Sequence, residues 1–391
     1  MQFETIGRRN FLKTVGAAGM LSTLPEAAFG LHAGGGQIAH EVVAPGADED
    51  MKPKHSIKFA VIGLDHAHIM GITAAVIRGG GELAAFYSTL PKAIANFQKI
   101  YPQARLAKSE DEILDDPSIQ LVASASIPNL RAPLGIRVMK HGKDYLSDKP
   151  AITTLEQLAE VRKVSAATGK MFAIMYSERL EVRAAVQAGY LVKAGAIGKV
   201  VQTINIAPHQ VNAPSRPDWF WDPVQFGGIL CDIGSHQADQ FVYYTGSTTA
   251  AVTASQIANV NHPEHPEFQD FGDMMLQGNG GAGYVRVDWF TPDGLGTWGD
   301  GRLFILGTEG YIELRKYIDI AGRPGGNHLF IVDKKQIRYM DCSKVALPFG
   351  PQFVADIVNR THTAQDQQQA LLAAELVLKA QKNARRLNFT V

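Results

Sequence analysis

From residue 57 onward, short apolar runs alternate with stretches of helical period. Ile57-Lys58-Phe59-Ala60-Val61-Ile62-Gly63 is an apolar run closed by a glycine, and helical spacing follows over 68–78. Further strand-like runs fall at 82–88, 120–124, 144–147 and 171–175, separated by helix-like segments at 91–100, 110–115, 131–141 and 154–168. Thr153-Thr154-Leu155-Glu156 has the spacing of a capping box and marks the start of the last of these. Strand and helix alternating at such short spacing predict a parallel, doubly wound sheet over residues 57–176. Beyond Tyr176 the pattern changes. A helix at 181–193 leads into strand-like runs at 198–207, 250–258, 272–277, 283–290, 303–306, 310–315 and 328–332. Few helices interrupt them, which predicts a mostly antiparallel sheet covered on one face. Terminal helices over 353–386 complete a second, α+β domain spanning 177–391. The fold class expected is α/β, a Rossmann-type sheet followed by an α+β domain.

The first residues read differently. Arg8-Arg9 is followed by Asn10-Phe11-Leu12-Lys13 and a mildly apolar stretch over 15–24. A membrane span needs ~20 apolar residues, so this pattern predicts a twin-arginine (Tat-type) signal over 1–30, not a span. Ala28-Phe29-Gly30 supplies small residues for cleavage, and 31–56, with Gly34-Gly35-Gly36, reads as an unstructured leader. The expectation is a protein handed folded to the Tat machinery, working in the periplasm and carrying no membrane span once mature. Composition narrows the classes further. A chain of 391 residues, 46% hydrophobic, exceeds one ordinary core, and 38 basic residues balance 38 acidic ones. Zero formal charge lacks the basic surplus of a nucleic-acid binder. The two cysteines, Cys231 and Cys342, exclude a disulfide scaffold and a four-cysteine zinc site.

A dinucleotide-binding first turn would read G-x-G-x-x-G. Here it is Gly63-Leu64-Asp65-His66-Ala67-His68, keeping only the first glycine. By itself this turn leaves open a nucleotide site and a phosphate-free α/β domain. The acidic residue that would take the ribose hydroxyls is also missing, since Ser88, Thr89 and Lys92 occupy that region. A hydroxyl and a lysine admit a 2′-phosphate, which leans toward NADP or toward no strict preference.

Two later elements are more specific. Ser147-Asp148-Lys149-Pro150 follows a strand, and Gly227-Gly228-Ile229-Leu230-Cys231-Asp232-Ile233-Gly234-Ser235-His236-Gln237-Ala238-Asp239 opens a helix about 80 residues later. In these elements the chain resembles the Gfo/Idh/MocA oxidoreductases, the glucose–fructose oxidoreductase and inositol dehydrogenase family. The resemblance extends through Gly307-Thr308-Glu309-Gly310 and the terminal helices. It departs at the eroded glycine turn, at the missing acidic residue, and after Pro128-Asn129-Leu130-Arg131, where Ala132 holds a place the family often gives to histidine. The resemblance implies a tightly bound NAD or NADP contacted by Gly63, Leu64, Asp65, His66, His68, Ser88, Pro128, Asn129 and Lys149. It also implies a homo-oligomer, and a substrate held by the second domain.

The chemistry of the motif residues agrees with that implication. Pro150 restricts Lys149 to extended backbone, so the lysine leaves the end of a strand, where ligands of open α/β sheets bind. Asp232 and His236 lie four apart and share one helical face, with Asp239 on the same stripe. A neutral His236 takes the proton of an alcohol, Lys149 stabilises the resulting alkoxide, and Asp232 orients substrate. All four tryptophans, Trp219, Trp221, Trp289 and Trp298, lie in the second domain among charged residues. With Arg216 and Asp239, Trp219 and Trp221 are the expected sugar contacts, while at least two of the four tryptophans are expected to be ordinary core or rim. A zinc set of Asp65, His66, His68 and His236 is conceivable. The histidines are read instead as polar residues beside the cofactor, with no metal. The function expected is an exported NAD(P)-dependent oxidoreductase of a sugar, glycoside or polyol hydroxyl. The alternatives are a redox-neutral glycosidase working by oxidation and elimination, and a cofactor-free binding protein.

Overall fold

The computed structural model describes residues 39–42 and 52–389; the twin-arginine segment and most of the expected leader lie outside the described residues. Ala39–Val42 forms β1, and the first large sheet is built from β2 (Ile57–Ile62), β3 (Gly81–Tyr87), β4 (Arg105–Leu106), β5 (Leu121–Ser124), β6 (Asp144–Asp148) and β7 (Phe172–Met175). These six strands are all parallel, in the order β4-β3-β2-β5-β6-β7. Strands β5, β6 and β7 are buried at every residue, because helices cover both faces of a parallel sheet. The chain reverses its direction of progress between β2 and β5. Ligands of such sheets bind at that switch point, beyond the carboxyl ends of the strands.

Gly63 closes β2 at φ +85°, where its N–H donates to Tyr87 O at 2.9 Å. A Cβ on this residue would stand 1.9 Å from Ser126 Oγ, so both the backbone and the neighbouring strand end require glycine. The helix Leu155–Thr168 starts one residue later than the expected capping box. Thr154 is the cap and accepts from Gln157 N, while Gln157 Oε1 accepts from Thr153 N at 2.9 Å. Gln157, not Glu156, therefore supplies the returning side chain.

The second sheet contains β8 (Val200–Pro208), β9 (Ala250–Ala258), β10 (Phe271–Gly278), β11 (Gly281–Asp288), β12 (Arg302–Gly307), β13 (Gly310–Arg315), β14 (His328–Asp333), β15 (Ile337–Asp341) and β16 (Arg385–Arg386). With β1 it has ten strands among the described residues, ordered β1-β15-β14-β13-β12-β8-β11-β10-β9-β16. The pairs β1–β15, β8–β11 and β9–β16 are parallel and the rest antiparallel. Strand β1 corrects the expectation of an unstructured leader. Residues 39–42 pair along the edge of β15, whose backbone groups would otherwise lack ladder partners.

The helix Gly234–Thr245 crosses the covered face of β8 and β11 and packs on the helix Gln367–Asn383. The C-terminal segment also returns to the first sheet. Gln365 accepts from Ile174 N and donates to Ile174 O, sealing the outer edge of β7. The helix Phe349–Asn359 crosses Ile69–Arg78 so closely that a Cβ on Gly350 would meet Ala75 O at 2.1 Å. One continuous core therefore runs from Ile57 to Ala380, and a smaller one lies under β12–β14. Cys231 and Cys342 are both buried and free. Among the described residues no helix is long and apolar enough to cross a membrane.

Candidate active site

Residues following β2, β5 and β6 and the start of Gly234–Thr245 face one cavity of about 300 Å³, enough for a monosaccharide-sized ligand. Lys149 and Pro150 leave β6 through a cis peptide. Lys149 Nζ donates to Asp232 Oδ1 at 3.1 Å, with the two side chains 4% and 15% exposed. Burial alone would raise the Asp232 carboxyl, but the Lys149 ammonium, with His66 behind it, holds it below the usual carboxylate range. Asp232 ends a short helix, Ile229–Asp232, and Ile233 links it to the helix that carries His236.

His236 is 2% exposed. Burial pushes its pKa down to about 3, outweighing Glu178, and Lys149 adds to the shift. Its Nδ1 is buried without a partner among the described residues, which leaves Nε2 as the nitrogen for the cavity. His236 is therefore neutral, with desolvation rather than the ammonium as the main cause. His209 is likewise pushed down to about 4, chiefly by burial.

Several functional groups were not read from the sequence. Glu178 follows β7 and lines the cavity, with Oε2 accepting from Lys316 Nζ at 2.6 Å and Gln237 Nε2 at 3.0 Å. Burial opposes its charge, but Lys316, His236 and His209 hold the carboxyl well below its ordinary range. Asp148, 1% exposed, accepts from His66 Nδ1 at 2.7 Å, His68 Nδ1 at 3.0 Å, Arg131 at 3.0 Å and Lys149 N at 2.8 Å. Arg131, fully buried, also donates to Ser126 O, Lys149 O and Pro150 O. Burial pushes His66 down to about 4, aided by His68 and opposed by Asp148. The position of Glu178 at a strand's carboxyl end was the signal available for it; Arg131 and Asp148 stood inside motifs already noted.

Two expected substrate contacts lie off the cavity, and a third is engaged by backbone carbonyls. Asp239 does not face the cavity; Arg179 Nε and Nη2 donate to it at 2.5 and 2.9 Å, in a buried pair. Trp221 stacks on His265 at 4.0 Å and packs against Phe268, away from the cavity. Arg216 lines the cavity, but its guanidinium donates to Val211 O and Gln210 O and lies over Phe220 and Trp289, so it braces the loop. Trp219, Trp289 and Trp298 all line the cavity, but Trp289 is also buried in the main core, so Trp221 and Trp289 are the two that serve packing.

A nicotinamide dinucleotide fits most of the expected residues. The Gly63 turn, Ser88 and Pro128–Asn129 stand at the carboxyl ends of β2, β3 and β5, and Asn129 Oδ1 is buried without a partner among the described residues. Leu64 contributes a core side chain, leaving its backbone for a ligand. Asp65 stands where the pyrophosphate would approach. Burial pushes its carboxyl up, against its own backbone and Arg131.

Comparison with known proteins agrees with this geometry. Residues 57–176 match the oxidoreductase family with NAD-binding Rossmann fold, and residues 185–313 match the GFO/IDH/MocA C-terminal domain. A D-xylose dehydrogenase of Paenarthrobacter nicotinovorans is 25% identical over 131 residues, 32% of this chain and 34% of that protein, so about a third of that relative's length is spanned. A levoglucosan dehydrogenase in complex with NADH and levoglucosan superposes with TM-score 0.70 at 16% identity, over 84% of this chain and 98% of that one; this shows the fold. A crystal structure from Erwinia carotovora atroseptica SCRI1043, assigned to the oxidoreductases, superposes with TM-score 0.83 at 46% identity, over 85% of this chain and all of that one. With both domains matched in order and so near a relative covered throughout, the chain belongs to the Gfo/Idh/MocA family of oxidoreductases.

Proposed function

We propose that the protein is an exported NAD(P)-dependent dehydrogenase that oxidises a hydroxyl of a sugar, glycoside or polyol. The observation that carries this is the Lys149–Asp232 pair beside a neutral His236, in one cavity at the carboxyl edge of an NAD-binding sheet. His236 Nε2 receives the hydroxyl proton, and Lys149 Nζ stabilises the oxygen as it becomes an alkoxide. A bound nicotinamide supplies the hydride acceptor. Asp232 Oδ1 fixes the lysine, and its other oxygen accepts a neighbouring hydroxyl. Trp219 and Trp298 offer aromatic faces to apolar sugar surfaces. The segment after β3 reads Ser88-Thr89-Leu90-Pro91-Lys92, with no carboxylate to reject a 2′-phosphate, which supports use of NADP as well as NAD. The sugar substrates of the xylose and levoglucosan dehydrogenases agree with this class.

Arg8-Arg9 supports export by the Tat machinery to the periplasm. Val201, Met275, Leu306 and Tyr311 are exposed on strands of the second sheet, which supports a homo-oligomer built on its open face. The test is to identify by mass any nucleotide released on denaturation, then to assay a panel of pentoses, inositols and anhydrosugars with NAD and NADP. Reduction of the nicotinamide with formation of a keto product is expected. Aglycone release from glycosides without added acceptor, and with no net reduction, would overturn the dehydrogenase assignment.

A further inference from the structure

We propose that His66 and His68 form a binding site for a divalent transition metal of the zinc class, on the wall of the same cavity, with Asp148 orienting both imidazoles. Asp148 pairs with the buried Arg131 guanidinium, so it is a carboxylate with only lone pairs to offer. Each histidine must then donate to it from a protonated Nδ1, at 2.7 and 3.0 Å. A neutral imidazole with its proton on Nδ1 keeps its lone pair on Nε2, on the far side of the ring. Both rings line the cavity, and among the described residues no hydrogen-bond donor meets either Nε2. The two ring centroids are 4.0 Å apart, so the imidazoles stand side by side on one carboxylate.

A histidine whose second nitrogen donates to a carboxylate is the arrangement that orients metal-bound imidazoles. Here one carboxylate holds two of them, and Arg131 and Lys149 N hold the carboxylate in turn. Imidazole pairs select zinc, cobalt, nickel or copper over magnesium and calcium. Two protein ligands leave positions open to water or to ligand oxygens. A cation there also accounts for the turn's loss of glycine. Imidazole lone pairs near a diphosphate path would repel it, and a divalent cation between them reverses that sign. Metal binding itself requires neither nucleotide nor turnover.

The experiment uses untagged full chain stripped with chelator, titrated calorimetrically with zinc chloride and spectroscopically with cobalt(II). Equimolar zinc binding and a visible cobalt spectrum of nitrogen coordination are expected. His68→Asn, at a side chain 43% exposed, leaves folding intact and weakens zinc binding by ~10-fold or more, as does His66→Ala. Asp148→Asn weakens it by ~10–100-fold, with thermal melting reporting whether the buried cluster still folds. Calcium and magnesium give no comparable heat. Zinc binding that is absent, or equally weak in wild type and His68→Asn, overturns the site. Nucleotide affinity measured on the zinc-loaded protein stands apart: its absence there removes the dehydrogenase assignment and leaves the metal site in place.

Discussion

Replacing Lys149 by methionine separates a catalytic lysine from a structural one. The ammonium lies 3.1 Å from Asp232 Oδ1 with its side chain 4% exposed, so it acts in a largely water-free cavity. Loss of a preorganised group that stabilises an oxyanion costs ~100-fold or more in kcat, about 3 kcal/mol. Removing one partner of a fully buried ion pair also destabilises the fold, by ~3–5 kcal/mol. Asp232 opens to the cavity, which places the structural cost at or below the low end of that range. The sign of the pH effect follows from the depressed Asp232 carboxyl. The pair's stability is present above the ordinary carboxylate pKa of ~3.9 and is lost as pH falls through the lower folded value. Melting temperatures of wild type and Lys149→Met should therefore differ most near neutrality and converge in acid. The double variant Lys149→Met/Asp232→Asn removes the orphaned charge, so it should recover stability without recovering rate. The assay is kcat on the panel sugar oxidised fastest, alongside melting from acid to neutral pH. A Lys149→Met enzyme turning over within a few-fold of wild type would refute the role. Recovery of rate together with stability in the double variant would refute it equally.

Buried neutral histidines set the acid side. With His236 near 3 and His209 near 4, kcat/KM should show no inflection near the ordinary histidine value of ~6.5 and fall only below about pH 4. The same depressed values contribute stability above ~6.5 that is lost as pH falls toward them, so melting temperature should decline before activity does. Gly63→Ala should lower the melting temperature through its φ of +85° and its clash with Ser126, and Ser126→Gly in the same chain should restore part of the loss. Trp219→Ala should raise KM by ~10-fold, the scale of one aromatic stack, whereas Trp221→Ala, stacked on His265, should leave KM unchanged and cost stability. Arg8→Lys with Arg9→Lys should hold the precursor in the cytoplasm, and normal periplasmic yield of the double variant, read by fractionation, would exclude the Tat route.

The first sheet was legible because its strands are buried on both faces and so stand out as apolar runs. Strand β15 escaped for the opposite reason: it lies near an edge, and only Met340 of its residues is buried. The return of the C-terminal helices to the first sheet left no local mark either. Periodicity shows that a helix has a face to bury, but not which partner it meets. Gln365 illustrates this, since nothing around it in sequence announces that its amide will replace a missing strand beside Ile174. Asp239 fails from trust in helical phase. Its spacing from Asp232 suggested one face, yet Arg179 claims its carboxylate behind the cavity.

The trio proposed as catalytic was readable because its residues sit in two compact motifs whose strand and helix ends meet at one cavity. The Asp148 cluster was not, although every member lay in a segment already noted. His66, His68, Arg131 and Asp148 come from three different strand ends, and nothing in any one segment ties it to the others. Together they form one arrangement. A fully buried Arg131 requires an anion, and Asp148 supplies it. Asp148 retains lone pairs for two more donors, and His66 and His68 occupy the turn that faces them. The imidazoles therefore line the cavity at the place in sequence where a glycine turn would stand, both held by Asp148. Restoring glycine at position 68 alone would remove one of the donors that hold Asp148 and leave its other neighbours unchanged.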